Sequence, residues 1–218
     1  MKPIYLEQVL DFVREVDLRF GAPGSGGARA NLEQDAVSLL SSLNQIQRDQ
    51  LAAGMAEVRR LLRASAVRVD VEAPESADAR WCMQEYFQEL ARRFDAGFDP
   101  AVSNPADEAT LRPPNGVFVI ARLDGEPVGC GALKSIRPGM GELKRMWVAD
   151  RARGLGVGRR IIEALEGRAR DFAISLLRLE TNRNLTEALS LYRSSGYLEV
   201  PAFNDEPYAH HWFEKEIG

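Results

Sequence analysis

Apolar residues recur at helical spacing in two early stretches, 4–20 and 31–63, and in the second they include Leu40, Leu43, Leu51, Met55, Val58 and Leu62. The run GAPGSGG between them predicts a flexible break. At Val67 the pattern changes. The segment VRVDVEA alternates apolar and polar residues with period two, as a half-buried strand does. This change puts a domain boundary near residue 66, with a helical segment over 1–66 and a second domain over 67–218.

The second domain reads as a mixed α/β (α+β) fold. Ala77 to Phe94 predicts an amphipathic helix capped by Ser76, followed by a loop over 96–116 rich in Pro, Asp and Gly. GVFVIARL and EPVGCGALKSI predict a hairpin closed by Asp124-Gly125, a dipeptide suited to the left-handed positions of a tight turn. GELKRMWVA extends the meander, and DRARGLGVG leads into a helix over Arg159 to Phe172 with Ile161, Ile162, Leu165 and Ala169 on one face. SLLRLET, a helix from Thr186, and the strands GYLEV and HHWFEKEI complete the chain. The order is antiparallel strands, a strand-helix-strand crossover, then a helix and hairpin.

Composition narrows the function. No apolar run approaches the ~18 residues that a membrane-spanning helix needs, and the N-terminus lacks a signal-peptide pattern, so a soluble, cytoplasmic protein with no membrane partner is expected. Cys82 and Cys130 form no CxxC pair, and the only histidines, His210 and His211, are neighbours whose side chains diverge on a strand; no metal is expected. The net charge is -4, against the basic footprint of nucleic-acid binding. Yet residues 144–178 carry nine Lys or Arg against four acids. A local positive field on an acidic chain suits one compact anionic ligand, although i,i+4 pairs on a solvated helix account for the 159–171 part equally well.

The run RGLGVG, residues 153–158, joins a strand to a helix. Its glycines let backbone approach a bulky anion, the helix N-terminus offers unpaired N–H groups, and Arg153 adds a forked cationic donor. No Lys-Ser/Thr follows the glycines as in a Walker loop, and the spacing of a dinucleotide fingerprint is not met. What remains is a phosphate or pyrophosphate cradle of another kind, or glycines that merely ease a turn.

The run ELKRMWVADRARGLGVGRRIIEALE, followed by LRLETNRNLTEALSLYRSSGY, resembles the GNAT N-acetyltransferase superfamily. Arg153, Gly156 and Gly158 match its Gln/Arg-x-x-Gly-x-Gly/Ala signature, and residues 188–197 match its second block. The resemblance covers about residues 67–218. It implies a mixed, mostly antiparallel sheet whose strands part around the cofactor, acetyl-CoA as cosubstrate, and direct transfer to an amine in a ternary complex. It further implies that Met146, Trp147 and Val148 contact the pantetheine arm, with the pyrophosphate on Arg153, Gly154, Leu155, Gly156, Val157, Gly158 and Arg159. Glu142 matches a position where some members keep a catalytic base, with an ion-pair role beside Lys144 and Arg145 as the alternative. Tyr192 matches the usual general acid. Many members place Asn seven residues before that tyrosine; Leu185 stands here, and Asn184 is the nearby candidate for a cofactor contact.

Residues 31–65 resemble the closing helices of MarR-type regulators, which help form dimers. The preceding chain is too short for a winged helix, so a homodimer through the N-terminal helices, without DNA binding, is expected. The acceptor chemistry stays open between a small-molecule amine, a peptide N-terminus and a lysine. The rival reading is an interaction protein that binds acyl-CoA without turnover.

Overall fold

The structure is a computed structural model and describes residues 3–20, 32–95, 97–103 and 107–218. The GAPGSGG run and part of the 96–116 loop lie outside the described residues. The chain divides into two compact units, Met1–Ser65 and Ala66–Gly218.

The first unit contains α1 (Pro3–Phe20), α2 (Leu32–Ser42) and α3 (Gln45–Ser65), with α1 against both of the others. Tyr5, Val9, Ala36, Leu40 and Met55 form its core. The periodicity over 31–63 reads as one stretch, but the structure breaks it at residues 43–44. Asn44 explains the break: its Oδ1 accepts from Gln47 N at 3.0 Å, and Gln47 Oε1 accepts from Asn44 N at 3.0 Å. Such a reciprocal box satisfies N–H groups that a new helix leaves unpaired, so a restart there is stable. Leu39, Ile46, Val58 and Leu61 stay exposed.

The second unit is a seven-stranded sheet in the order β1-β2-β3-β4-β5-β7-β6. Its strands are β1 (Arg68–Glu72), β2 (Gly116–Leu123), β3 (Glu126–Arg137), β4 (Met140–Val148), β5 (Leu176–Thr181), β6 (Leu198–Val200) and β7 (His211–Glu216). All pairings are antiparallel except β4 with β5. Asp124 and Gly125 turn the β2–β3 hairpin with φ of 53° and 88°. The two-residue type I′ geometry requires positive φ at both positions, as the Asp-Gly dipeptide predicted.

Helix α4 (Ala77–Arg93) starts at Ser76, whose side chain accepts from Ala79 N, and α5 (Val157–Asp171) and α6 (Thr186–Ser194) follow β4 and β5. Alternation along β2 and β3 separates the layers. Phe118, Ile120, Cys130 and Ala132 face α4, where they cluster with Ala79 and Cys82. On the opposite face α5 buries Ile161, Ile162, Leu165 and Ala169, each of the three larger side chains worth about 1.5–3 kcal/mol. Close approach of α5 to β3 depends on Gly131: a Cβ there would lie 2.5 Å from Ile161 Cγ2 and 2.8 Å from Met146 Sδ. At the N-terminus of α5, Gly158 lies beside the end of β4, where a Cβ would be 3.7 Å from Val148 Cγ2.

Candidate active site

Strands β4 and β5 pair only over Met140–Glu142 with Leu176–Arg178. Beyond that they separate. On the other side of β4, Cys130 pairs with Trp147 and Ala132 with Lys144, so Arg145 and Met146 together oppose Gly131. This bulge puts Arg145 at φ 58°, and an extra residue of this kind bends and twists its strand. The bend turns the end of β4 away from β5 and opens a cleft.

The mouth of the cleft is the glycine turn. After β4, a short 3-10 turn (Asp150–Ala152) leads through Gly154 and Gly156, at φ 77° and 75°, into α5. Gly156 caps α5 in the left-handed region with no side-chain hydrogen bond, so the first N–H groups of the helix remain for a ligand. A Cβ at either Gly154 or Gly156 would meet nothing within 4 Å, so the space beside this backbone is open. The cleft holds about 380 Å³.

Met146, Trp147, Val148, Arg153, Gly154, Gly156, Val157, Gly158 and Arg159 line it together with Tyr192. The geometry does not bring Leu155 or Asn184 to the cleft. Leu155 is buried. Asn184 ties its turn to the end of α4, its Nδ2 donating to Arg93 O at 2.8 Å and to Asp95 Oδ1 at 3.2 Å.

Four residues that local sequence reasoning did not place at the cleft, Tyr86, Glu89, Leu90 and Arg93, come from α4. Glu89 is a hub. It accepts from Trp147 Nε1 at 3.0 Å and holds Arg153 at 2.6 Å and Arg93 at 3.1 Å. In sequence, Glu89 and Arg93 look like an ordinary i,i+4 surface pair, and only the packing of α4 against β4 turns them toward the cradle.

A second, smaller chamber of about 80 Å³ adjoins the cleft. Tyr86, Leu90, Met146, Leu185, Ala188 and Tyr192 line both cavities, so these residues mark their junction. Burial, with Tyr86 and Glu180 nearby, pushes the Tyr192 hydroxyl well above the ordinary tyrosine range. It therefore keeps its proton at neutral pH.

Glu142 lines neither cavity. It is buried, with Oε1 2.7 Å from Lys144 Nζ and Oε2 3.0 Å from Arg178 Nε. Each of its oxygens meets a cation, which fits the ion-pair role. Two carboxylates do line the chamber, Glu206 and, on β5, Glu180. Lys144 pairs with Glu180 as well, while Glu180 Oε2 is buried with no hydrogen-bond partner. Burial raises the Glu180 pKa, opposed by Lys144 and reinforced by Glu142 and Glu206. The one sequence signal for Glu180 was its polarity inside LLRLET.

A cleft where parallel strands part, ending on a glycine turn at a helix N-terminus and meeting a second chamber at a buried tyrosine, defines a class of acyl-CoA-dependent acyltransferases. The model of the acetyltransferase (GNAT) family matches residues 80–197. The chain is 42% identical over 106 residues to an IAA acetyltransferase of Azospirillum brasilense, covering 48% of this chain and 69% of that protein. It is 30% identical over 148 residues to an uncharacterized N-acetyltransferase of Schizosaccharomyces pombe, covering 64% and 84%. A GNAT-family acetyltransferase from Staphylococcus aureus shares the fold, with a TM-score of 0.60 at 16% identity over 70% of this chain and all of that one. The chain belongs to the GNAT acetyltransferase family, and it is an acetyl-CoA-dependent acyltransferase with the fold of that family.

Proposed function

We propose that this chain transfers the acetyl group of acetyl-CoA directly to the primary amine of a small molecule, with Glu180 as general base and Tyr192 as general acid. The observation that carries this reading is the junction: Tyr192 and Met146 line both cavities, and Glu180, with an unpartnered oxygen, lines the chamber on the acceptor side. The name of the Azospirillum relative supports a small acceptor.

The residues present fit the cosubstrate. The open backbone at Gly154 and Gly156, the N-terminus of α5 and Arg153 suit a pyrophosphate. The segment Met146–Val148 has no β5 partner and suits an extended pantetheine arm, which would add to its free edge. Acetyl-CoA supplies an activated acetyl carbonyl and a thiolate leaving group. Glu180 takes a proton from the acceptor ammonium, which frees the nitrogen lone pair. As the C–N bond forms and the C–S bond breaks, Tyr192 gives its proton to the departing sulfur. The nitrogen sheds a second proton, so the balance is one amide, one thiol and one proton released. Backbone N–H groups near the Arg145 bulge are candidates to polarise the carbonyl.

In the N-terminal unit, exposed Leu39, Ile46, Val58 and Leu61 support a homodimer through these helices. The test of the catalytic reading is thiol release with the full chain across an amine panel, varying both substrates. Intersecting initial-velocity lines are expected for a ternary complex. Acetyl-CoA binding without consumption by any amine would favour the binding-protein reading instead.

A further inference from the structure

The chamber beyond Tyr192 contains two buried carboxylates. The Glu180 side chain is 7% exposed, and its Oε2 has no partner. Leaving a buried acceptor oxygen unpaired is unfavourable, and a donor from a ligand would relieve it. Glu206 is 8% exposed and accepts from Ser103 Oγ at 3.0 Å and Tyr208 N at 3.4 Å. Both carboxylates line the chamber, and the charge of Glu206 disfavours that of Glu180.

The wall is aromatic. Phe94, Phe98 and Tyr208 all line the chamber and touch one another, with ring centroids 4.9–5.8 Å apart. Ring faces attract cations, and more strongly where water is excluded. Of the cations that line the chamber, Lys144 pairs with Glu142 and Glu180, while Arg145 lies over Phe87 at 4.9 Å and Tyr86 at 5.9 Å, with its buried Nε lacking a hydrogen-bond partner.

The geometry points to a compact dication as the acceptor, a terminal diamine whose reacting ammonium sits on Glu180 Oε2 and whose second ammonium is held by Glu206 and the aromatic wall. This rests on Glu180 being the base. At neutral pH both ends of such a molecule are charged, since alkylammonium groups titrate near 10. The reacting end loses its charge on passing a proton to Glu180, while the second ammonium keeps the acceptor anchored through the transfer.

The test uses the full chain at saturating acetyl-CoA and compares kcat/KM for straight-chain alkylamines, terminal diamines and terminal amino acids of matched length. The diamine is expected to exceed the monoamine by about tenfold, mainly through KM, as loss of a charge-assisted contact made in the ground state requires. Glu206→Gln should shrink this ratio, and calorimetry of acetyl-CoA binding will show whether that variant is folded. The wild-type panel decides the matter even if it is not. Equal rates for monoamine and diamine, or a preference for the amino acid through Arg145, would overturn the diamine and leave acetyl transfer standing. Turnover of none, with acetyl-CoA bound, would remove both.

Discussion

Lys144 reaches Glu180 across β4 and β5 beyond their last backbone pair, Glu142 with Arg178, so this ion pair sits where the strands part. The same ammonium lies 2.7 Å from Glu142. One cation thus holds two carboxylates with different surroundings: Glu142 beside Arg178, and Glu180, which lines the second chamber and has an unpartnered oxygen.

Exchanging each carboxylate for its amide separates the two roles. Glu180→Gln should lower kcat by about 10²- to 10⁴-fold while acetyl-CoA affinity is retained. Glu142→Gln should act on stability, since removing one partner of a buried ion network costs about 3–5 kcal/mol, and should lower the melting temperature. Loss of turnover in Glu142→Gln at an unchanged melting temperature, with Glu180→Gln active, would reverse the assignment.

The acid limb of the pH–rate profile should lie above the ordinary carboxylate range. Burial holds the Glu180 pKa up, with Glu142 and Glu206 adding to the shift and Lys144 opposing it. A raised pKa retains the proton to higher pH, so the active base form is gained, and kcat rises, as pH increases through that value. In Glu180→Gln this limb should vanish. A limb that persists unchanged in the variant belongs to another group.

Tyr192→Phe should cost about 10²-fold in kcat with the KM for acetyl-CoA nearly unchanged, because the hydroxyl acts on a thiolate that develops only during transfer. The ring contacts with Tyr197 and Phe213 survive the substitution. Unchanged turnover under conditions where chemistry is rate-limiting would return Tyr192 to a packing role.

Gly156→Glu should abolish CoA binding, measured by calorimetry, since it adds a negative charge where the pyrophosphate meets the α5 N-terminus. Gly156→Ala separates charge from backbone strain. At φ 75° an alanine costs about 1 kcal/mol or slightly more, and it should weaken binding only modestly. Wild-type affinity in a folded Gly156→Glu variant would place the pyrophosphate elsewhere.

Light scattering on the full chain at micromolar concentration should report a dimer, and Val58→Glu with Leu61→Glu should shift it to monomer. These two side chains are exposed and lie one turn apart on α3. A monomeric wild-type chain would refute the dimer.

Much of the architecture was legible in the sequence because its causes are local. Asp124-Gly125 needs positive φ, Ser76 supplies a cap oxygen, and period-two alternation with a face of Ile161, Ile162 and Leu165 fixes strand and helix. The glycine turn over 153–159 was legible for the same reason: one continuous segment supplies its glycines, helix N-terminus and cation. The break at Asn44 was also local, but the apolar stripe running through it hid the capping box.

The second chamber was decided by tertiary structure alone. Glu142 and Glu180 are both single acids within apolar strands, and what separates them is that β4 and β5 pair at one and have parted by the other. That parting follows from a bulge at Arg145 and from the seating of α5 on Gly131, neither of which a periodicity reveals. Glu89 on α4 lies far in the chain from the loop that carries Glu206 and Tyr208, and only packing brings these residues to the two cavities. Sequence alone therefore determined the cofactor class and the order of elements; which side chains line the second chamber depended on long-range pairing, which no local pattern encodes.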